Sequence, residues 1–269
     1  MTVKTKEITI RCGGSRGRYV CGKGVLGELA RIRDGRPAVA LVDATVARRH
    51  GDALASALGD APRLTRPGGE RIKTLAELER IYRWLAEVGL PRDGLLIGVG
   101  GGTLLDVAGL AASTWGRGVA FAAAPTTLLA AVDAAIGGKT AVNLDSLKNP
   151  IGTFHPAALV AADTRLLNTL PRHEWRNGLA EMIKAAVIGA PTLFRDLESR
   201  RDELSASVGR GDRHRTIEDA GRLPWHGWII DAVAVKARVV AADPFERGRR
   251  RALNLGHTLG HALEPLLGL

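Results

Sequence analysis

The 269-residue sequence predicts an α/β protein in two parts, a doubly wound parallel-sheet domain over residues 1–167 and a mostly α-helical domain over 168–269. Three observations carry that reading. Short continuous apolar runs, Ala38–Val42 and Gly94–Val99, alternate with amphipathic segments, the pattern of strands buried on both faces by crossover helices. A glycine cluster, Gly98-Val-Gly-Gly-Gly-Thr103, falls where the second of these strands would pass into a helix. After Leu159-Val-Ala-Ala162 strand runs largely disappear and helical patterns dominate, which places the boundary near Leu167.

In order, Glu7–Arg11 and Arg18–Cys21 read as short strands around the Gly13-Gly14-Ser15 turn. A helix follows with Leu26, Leu29, Ala30 and Ile32 on its apolar side and Gly35 past its end. The strand Ala38–Val42 ends at Asp43; Val46–Leu58 reads as one helix and Pro62–Thr65 as a weaker strand. Pro67-Gly-Gly-Glu70 follows, then the amphipathic helix Thr74–Val88 and the strand Gly94–Val99. Gly100, Gly101 and Gly102 open a helix near Thr103 with Asp106 in its first turn. Three glycines let a pyrophosphate approach the backbone, and the helix start donates N–H groups to it. The local order is G-x-G-G-G, not the dinucleotide fingerprint, and an incidental tight turn is the bland alternative.

The strand Val119–Ala123 leads through Pro125-Thr126-Thr127 into a short helix. Asp133–Thr140 ends in Gly-Lys-Thr, but Asp133 stands where a P-loop needs glycine, so no Walker site is expected. Lys139, Asn143, Lys148 and Asn149 crowd a loop-like stretch, either solvated or an anion or polyol site. Thr164–Leu170 leads into the helix Arg172–Ile188, where Glu181 and Lys184 share a face. They form either a surface ion pair or a metal-ligating carboxylate beside a phosphate-facing ammonium. Ser199–Arg215 reads as a charged linker or exposed helix, Trp225–Trp228 carries no assignment, and Ile229–Val240 is a helix bearing Lys236. Beyond Pro244, Glu246, Arg250, Asn254, His257, His261 and Glu264 would fall within an arc of about 80° on a helix. Such a stripe of charges, amide and imidazoles is no core face.

Composition narrows the classes. No stretch approaches the roughly 20 apolar residues of a membrane span, and the N-terminus lacks a signal peptide's apolar segment. Two cysteines make no disulfide framework, so a reduced cytoplasm is expected. The net charge of +10 asks for an anionic partner, but no nucleic-acid motif accompanies the dispersed arginines. Glu181 and His257 are plausible ligands for a divalent metal such as Zn²⁺. Thr258 occupies the place of the catalytic Glu of H-E-x-x-H, which argues against a zinc protease.

Seven segments, taken together and in order, carry a family resemblance. They are Gly100–Asp106, Trp115–Gly118, Pro125–Leu129, Asp133–Thr140, Lys148–Phe154, Gly178–Lys184 and Leu253–Glu264. The chain resembles the 3-dehydroquinate synthases among the NAD-dependent sugar phosphate cyclases. The resemblance implies a Rossmann-like NAD-binding domain, a helical metal-binding domain and a site in the cleft between them. It puts NAD contacts on Asp43, Glu70, Lys73, Gly101, Gly102, Thr103, Asp106, Thr126, Thr127, Asp133, Lys148 and Thr169. Glu181 and His257 become ligands for Zn²⁺ or Co²⁺. Arg117, Lys139, Asn149, Lys184, Lys236, Glu246, Arg250, Asn254 and His261 become catalytic or substrate-contacting residues, with Arg117, Lys139, Asn149, Arg250 and His261 nearest the phosphate.

The implied reaction converts 3-deoxy-D-arabino-heptulosonate 7-phosphate, a small phosphorylated sugar acid, into 3-dehydroquinate and phosphate in the shikimate pathway, a lyase reaction with NAD regenerated. No nucleic-acid or membrane partner is expected, and the assembly admits a homodimer. In the family a third metal ligand, a histidine in a His-Gly-Glu stretch, follows the H-x-x-x-H helix. The resemblance therefore implies that the helical domain, ending at Leu269, is truncated and its metal site incomplete. A fragment, a short paralogue and a site completed by a second chain are the three accounts. Amino-dehydroquinate, 2-deoxy-scyllo-inosose and 2-epi-5-epi-valiolone synthases are the alternatives on the same fold, with an inactive NAD-binding paralogue as the non-enzyme reading and a glycerol dehydrogenase-type enzyme as the redox runner-up.

Overall fold

The computed structural model describes residues 5–208 and 223–256. Its centre is a seven-stranded sheet in the order β1-β2-β9-β6-β5-β3-β4. The strands are β1 (Lys6–Cys12), β2 (Ser15–Gly22), β3 (Ala38–Asp43), β4 (Arg63–Arg66), β5 (Leu95–Gly100), β6 (Ala120–Pro125) and β9 (Leu159–Asp163). Only the β1–β2 pair is antiparallel; the remaining pairs are parallel. The expected doubly wound sheet is present.

Its two faces can be read from the alternation of side chains along β3 and β5. Ala38, Ala40, Val42, Leu95, Ile97 and Val99 pack with Leu26, Leu29, Leu54 and Leu58, from the segments of α1 (Gly27–Arg33) and α3 (Gly51–Leu58). Val39, Leu41 and Leu96 face the other way, towards α4 (Leu75–Glu87) and α5 (Gly102–Thr114). Thr74 caps α4 by accepting from the Glu77 N–H, and Ile81 and Leu85 below it are fully buried.

That second core continues without a break into the helical part. Trp175 and Met182 of α6 (Arg172–Gly189) and Trp228, Ile229 and Val233 of α9 (Trp225–Ala242) belong to it. Here α7 (Pro191–Ser199) and α8 (Arg201–Val208) complete the described helices of this part. The boundary expected near Leu167 falls in the 3-10 turn Thr164–Thr169 that joins β9 to α6.

Four expectations need correction. The single helix Val46–Leu58 is two, α2 (Ala44–Arg49) and α3, because the Asp43 carboxylate starts the first and His50 leaves helical geometry before Gly51. The loop-like stretch around Lys139 is an antiparallel hairpin, β7 (Lys139–Leu144) with β8 (Leu147–Phe154). Trp225–Trp228 is the first turn of α9, where Trp225 and Trp228 meet edge to face at 5.2 Å. The polar stripe is not one helix within the described residues. Glu246 has φ +57°, a 3-10 helix runs from Arg249 to Asn254, and Leu255 turns to extended geometry. The cause is Asp243, whose carboxylate takes the N–H groups of Arg247 (2.9 Å), Gly248 (2.7 Å) and Arg250 (3.0 Å). A helix running from Glu246 would need the Arg250 N–H for the Glu246 carbonyl, four residues back.

Candidate active site

Parallel strands deliver their chemistry at their carboxyl ends. Here those ends carry Asp43, Gly100 and Pro125, and a cleft of about 540 Å³ opens over them. Asp43, Glu70, Gly101, Gly102, Thr103, Thr126, Thr127 and Thr169, all named by the resemblance, line it. Helix α5 begins at its floor with Gly101 as N-cap and no side chain capping it, so its first N–H groups are left for a ligand. A Cβ on Gly101 would come within 3.2 Å of Thr127 Cγ2, and one on Gly102 within 3.0 Å of Ala134 Cβ. The backbone is thus kept bare where a pyrophosphate would lie, and the residues present fit a dinucleotide.

Asp43 gives Oδ1 to the N–H groups of Thr45 and Val46, which fixes its carboxylate at the rim. Thr127 accepts from the Ala130 N–H and so starts the turn that continues as a π-helix, Ala130–Ala134. Such bulges re-aim side chains, and this one carries Asp133. On the opposite rim Thr169 is held by two residues that sequence reasoning missed. Arg49 donates to its carbonyl at 2.6 Å, and His50 Nε2 lies 2.8 Å from its hydroxyl. Both sit at the α2–α3 break, which the sequence reading had run through as one helix.

A second cavity, about 480 Å³, is lined by Asp106, Asp133, Lys139, Asn149, Lys236 and Arg250 among others. Lys73, 4% exposed, donates to Asp106 Oδ2 at 2.7 Å and to Asn149 Oδ1, both of which line this second cavity. Burial raises the Asp106 carboxyl above the ordinary carboxylate range, and Lys73 partly offsets it. Across the cavity Lys236 donates to the Asp133 carbonyl at 2.7 Å and its Oδ1 at 2.6 Å. Burial lowers the Lys236 ammonium's pKa, and Asp133 opposes that shift. Lys184 pairs with Glu181 one turn earlier on α6 and lies 4.0 Å from Asp133. The wall is therefore an alternation of cations and carboxylates, in which each buried ammonium has an anion.

Arg250 lines this same cavity from a built-in position. It is 1% exposed, donates to the carbonyls of Pro244 (2.5 Å) and Gly137 (3.0 Å), and lies 5.5 Å over the Phe154 ring. Its guanidinium is built into the cavity wall, tying the 243–250 loop to the segment after Asp133. Lys139 pairs with Glu246, which also accepts from Asn254 at 3.0 Å, so that two stripe residues still meet without the helix. Lys148 is exposed on β8 and lines neither of these two cavities. Arg117 is exposed in the turn after α5, about 20 Å from the glycine-rich start of that helix, and lines neither of these two cavities. His257 and His261 lie outside the described residues.

Glu181 is the described half of the expected metal pair. Among the described residues no three His, Cys, Asp or Glu side chains converge on a common point. On their own these residues do not fit a metal ion.

Asp243, the other residue sequence reasoning missed, has a signal in hindsight: Asp before Pro is a turn initiator. Its three backbone donors hold its carboxyl below the usual range. A depressed folded pKa means that the tie is complete above the unfolded value and is lost as pH falls through the folded one. Amide exchange should accordingly show Arg247, Gly248 and Arg250 protected at neutral pH and down to about pH 4, with protection lost below. Protection unchanged in Asp243→Ala would contradict this assignment.

The architecture is that of the sugar phosphate cyclases. A 2-epi-5-epi-valiolone synthase from Streptomyces hygroscopicus subsp. jinggangensis with NAD⁺ and Zn²⁺ bound matches at TM-score 0.79 and 29% identity, covering 96% of this chain and 69% of that one. A 2-deoxy-scyllo-inosose synthase complexed with carbaglucose-6-phosphate, NAD⁺ and Co²⁺ matches at TM-score 0.79 and 27% identity, covering 97% and 71%. Within that class, the 3-dehydroquinate synthase N-terminal family model matches residues 63–177 and the C-terminal one residues 178–269. The 3-dehydroquinate synthase of Synechococcus sp. is 42% identical over 267 residues, 97% of this chain and 68% of that protein. The chain belongs to the 3-dehydroquinate synthase family. It spans 60–68% of the length of the curated relatives it matches.

Proposed function

We propose that this chain carries the NAD site and much of the substrate site of a 3-dehydroquinate synthase. The reaction is conversion of 3-deoxy-D-arabino-heptulosonate 7-phosphate to 3-dehydroquinate and phosphate, in the shikimate route to aromatic amino acids. The observation that carries the reading is the adjacency of the two cavities: a glycine-floored cleft at the start of α5, with Gly102 and Thr103, and one turn further along that helix, at Asp106, a pocket bearing Lys139, Asn149 and Lys236.

In this reading NAD lies along Asp43, Glu70, Gly101, Gly102, Thr103, Thr126, Thr127 and Thr169, with Lys73, Asp106 and Asp133 at its reactive end and Lys148 beside it. Bound there, NAD supplies a hydride acceptor for a ring hydroxyl and returns the hydride later. The chain's own residues do the rest. Lys236, fixed by Asp133, and Lys184, fixed by Glu181, can hold substrate hydroxyls at the reacting carbon. Lys139 and Asn149 line the side where phosphate leaves, and an ammonium there stabilises the charge that develops as the C–O bond breaks. Arg250 shapes that wall, and Glu246 and Asn254 orient Lys139. Arg117 and His261 complete the phosphate end in the full assembly, for which a homodimer is our reading. Glu181 with His257 is the proposed metal pair, and no step here is routed through a metal.

Cys12 and Cys21 are free and buried, which suits a reducing cytoplasm, and no described helix is long and apolar enough to cross a membrane. Incubation with NAD, Zn²⁺ or Co²⁺ and the heptulosonate phosphate should release phosphate and form dehydroquinate in equal amounts. Turnover of a different sugar phosphate would move the assignment to another cyclase. Unaltered substrate alongside measurable NAD binding would mark the chain as catalytically inactive.

A further inference from the structure

We infer that Asn143 is a positioning residue that ties the cofactor cleft to the substrate cavity, an inference that rests on the two-cavity reading above. It lies on β7 where the β7–β8 register shifts, between the pairs Val142↔Ile151 and Leu144↔Leu147. A bulge releases a residue's polar groups from the ladder and re-aims its side chain. All three groups assigned to Asn143 are then spent across the site. Its N–H donates to the Lys73 carbonyl at 2.8 Å. Its Nδ2 donates to Glu70 Oε1 at 2.8 Å, and its Oδ1 accepts the Asn149 N–H at 2.9 Å. Only this orientation of the amide serves both neighbours, because a carboxylate cannot donate and a backbone N–H cannot accept.

The partners belong to different ligand sites. Glu70 lines the cofactor cleft and Asn149 lines the substrate cavity. Asn149 also sits at φ +58°, a conformation that Asn tolerates but that needs holding. Asn143 supplies that hold at the backbone, while Lys73 donates to the Asn149 side chain. A cofactor that orders Glu70 therefore orders Asn149 through one amide.

Two substitutions separate this from a merely structural role. Asn143→Asp keeps the acceptor for Asn149 but sets a carboxylate against Glu70. Asn143→Ala loses both side-chain ties. The readouts are NAD affinity by titration calorimetry and hydrogen exchange at the Asn149 amide, with and without NAD. In the unaltered chain, NAD should add protection at Asn149. In Asn143→Ala that amide should exchange on the order of tenfold faster and NAD should bind about tenfold more weakly. In Asn143→Asp the amide should keep its protection without NAD, while NAD binds weakly and adds none. Both variants altering both readouts alike, or neither altering them, would overturn the inference. If the unaltered chain binds no NAD, the proposed function fails; the amide readout then decides alone, and equal exchange in Asn143→Ala overturns the tie as well.

Discussion

Replacing Lys236 with methionine is expected to remove turnover by at least about 10³-fold and to cost the fold about 3 kcal/mol. Methionine keeps the length and apolar stem of the side chain, so the loss reports the ammonium. Lys236 is 7% exposed on α9, and both of its hydrogen bonds go to Asp133 on the π-turn. Without it the Asp133 carboxylate faces the cavity lacking its closest described cation, Lys184 lying 4.0 Å away. The stability cost sits at the low end for a broken buried pair because the Asp133 side chain keeps 26% exposure and some access to water. Chemical denaturation measures the stability cost, and phosphate release, well below the melting temperature, measures the loss of turnover. If activity fell only in proportion to the folded fraction, Lys236 would be a structural residue and no more.

The second large effect is expected at Gly178, in the middle of α6. A Cβ there would lie 2.4 Å from Leu128 Cβ and 2.6 Å from the Leu129 backbone nitrogen, so one helix would have to back away from the other. Overpacking against backbone cannot be relieved by a rotamer change. Gly178→Ala should lower the melting temperature by about 10 °C. It should also reduce turnover by roughly 10²-fold, because Glu181 and Lys184 ride on the same helix one turn further on. Gly51→Ala is the matched control. It lies in the first turn of α3, where an added Cβ meets nothing within 4 Å. That substitution should be neutral or slightly stabilising.

The parts of the site that were legible in the sequence are those fixed by position on a buried strand. Asp43 and Gly100–Gly102 follow runs whose every residue is buried, and a strand buried on both faces in a parallel sheet has one end where ligands sit. Glu70, Thr126 and Thr127 come instead from the family resemblance, and the strand before Glu70 is only half-buried. Legibility failed where one long-range contact overrode a local pattern. The stripe from Glu246 to Asn254 has helical spacing, but the Asp243 carboxylate captures three donors and the chain folds back. The β7–β8 hairpin was hidden because Lys139, Asn143, Lys148 and Asn149 place polar groups where strand patterns expect apolar ones, and those groups serve the site. The family resemblance alone puts Arg250 near the phosphate, with no partners legible in the sequence. Only the tertiary structure supplies the two carbonyls that hold it. The helical periodicity of Val46–Leu58 gave no sign of the break that lets Arg49 and His50 reach Thr169.

The central claim is that the cleft holds NAD as a recycled partner of the chemistry in the adjoining cavity. Its most direct test supplies the heptulosonate phosphate in tenfold excess over NAD and follows absorbance at 340 nm together with phosphate release. The account predicts many phosphates released per NAD with no net accumulation of NADH. One NADH accumulated per substrate consumed, ceasing when the NAD is exhausted, would describe a simple dehydrogenase and contradict it.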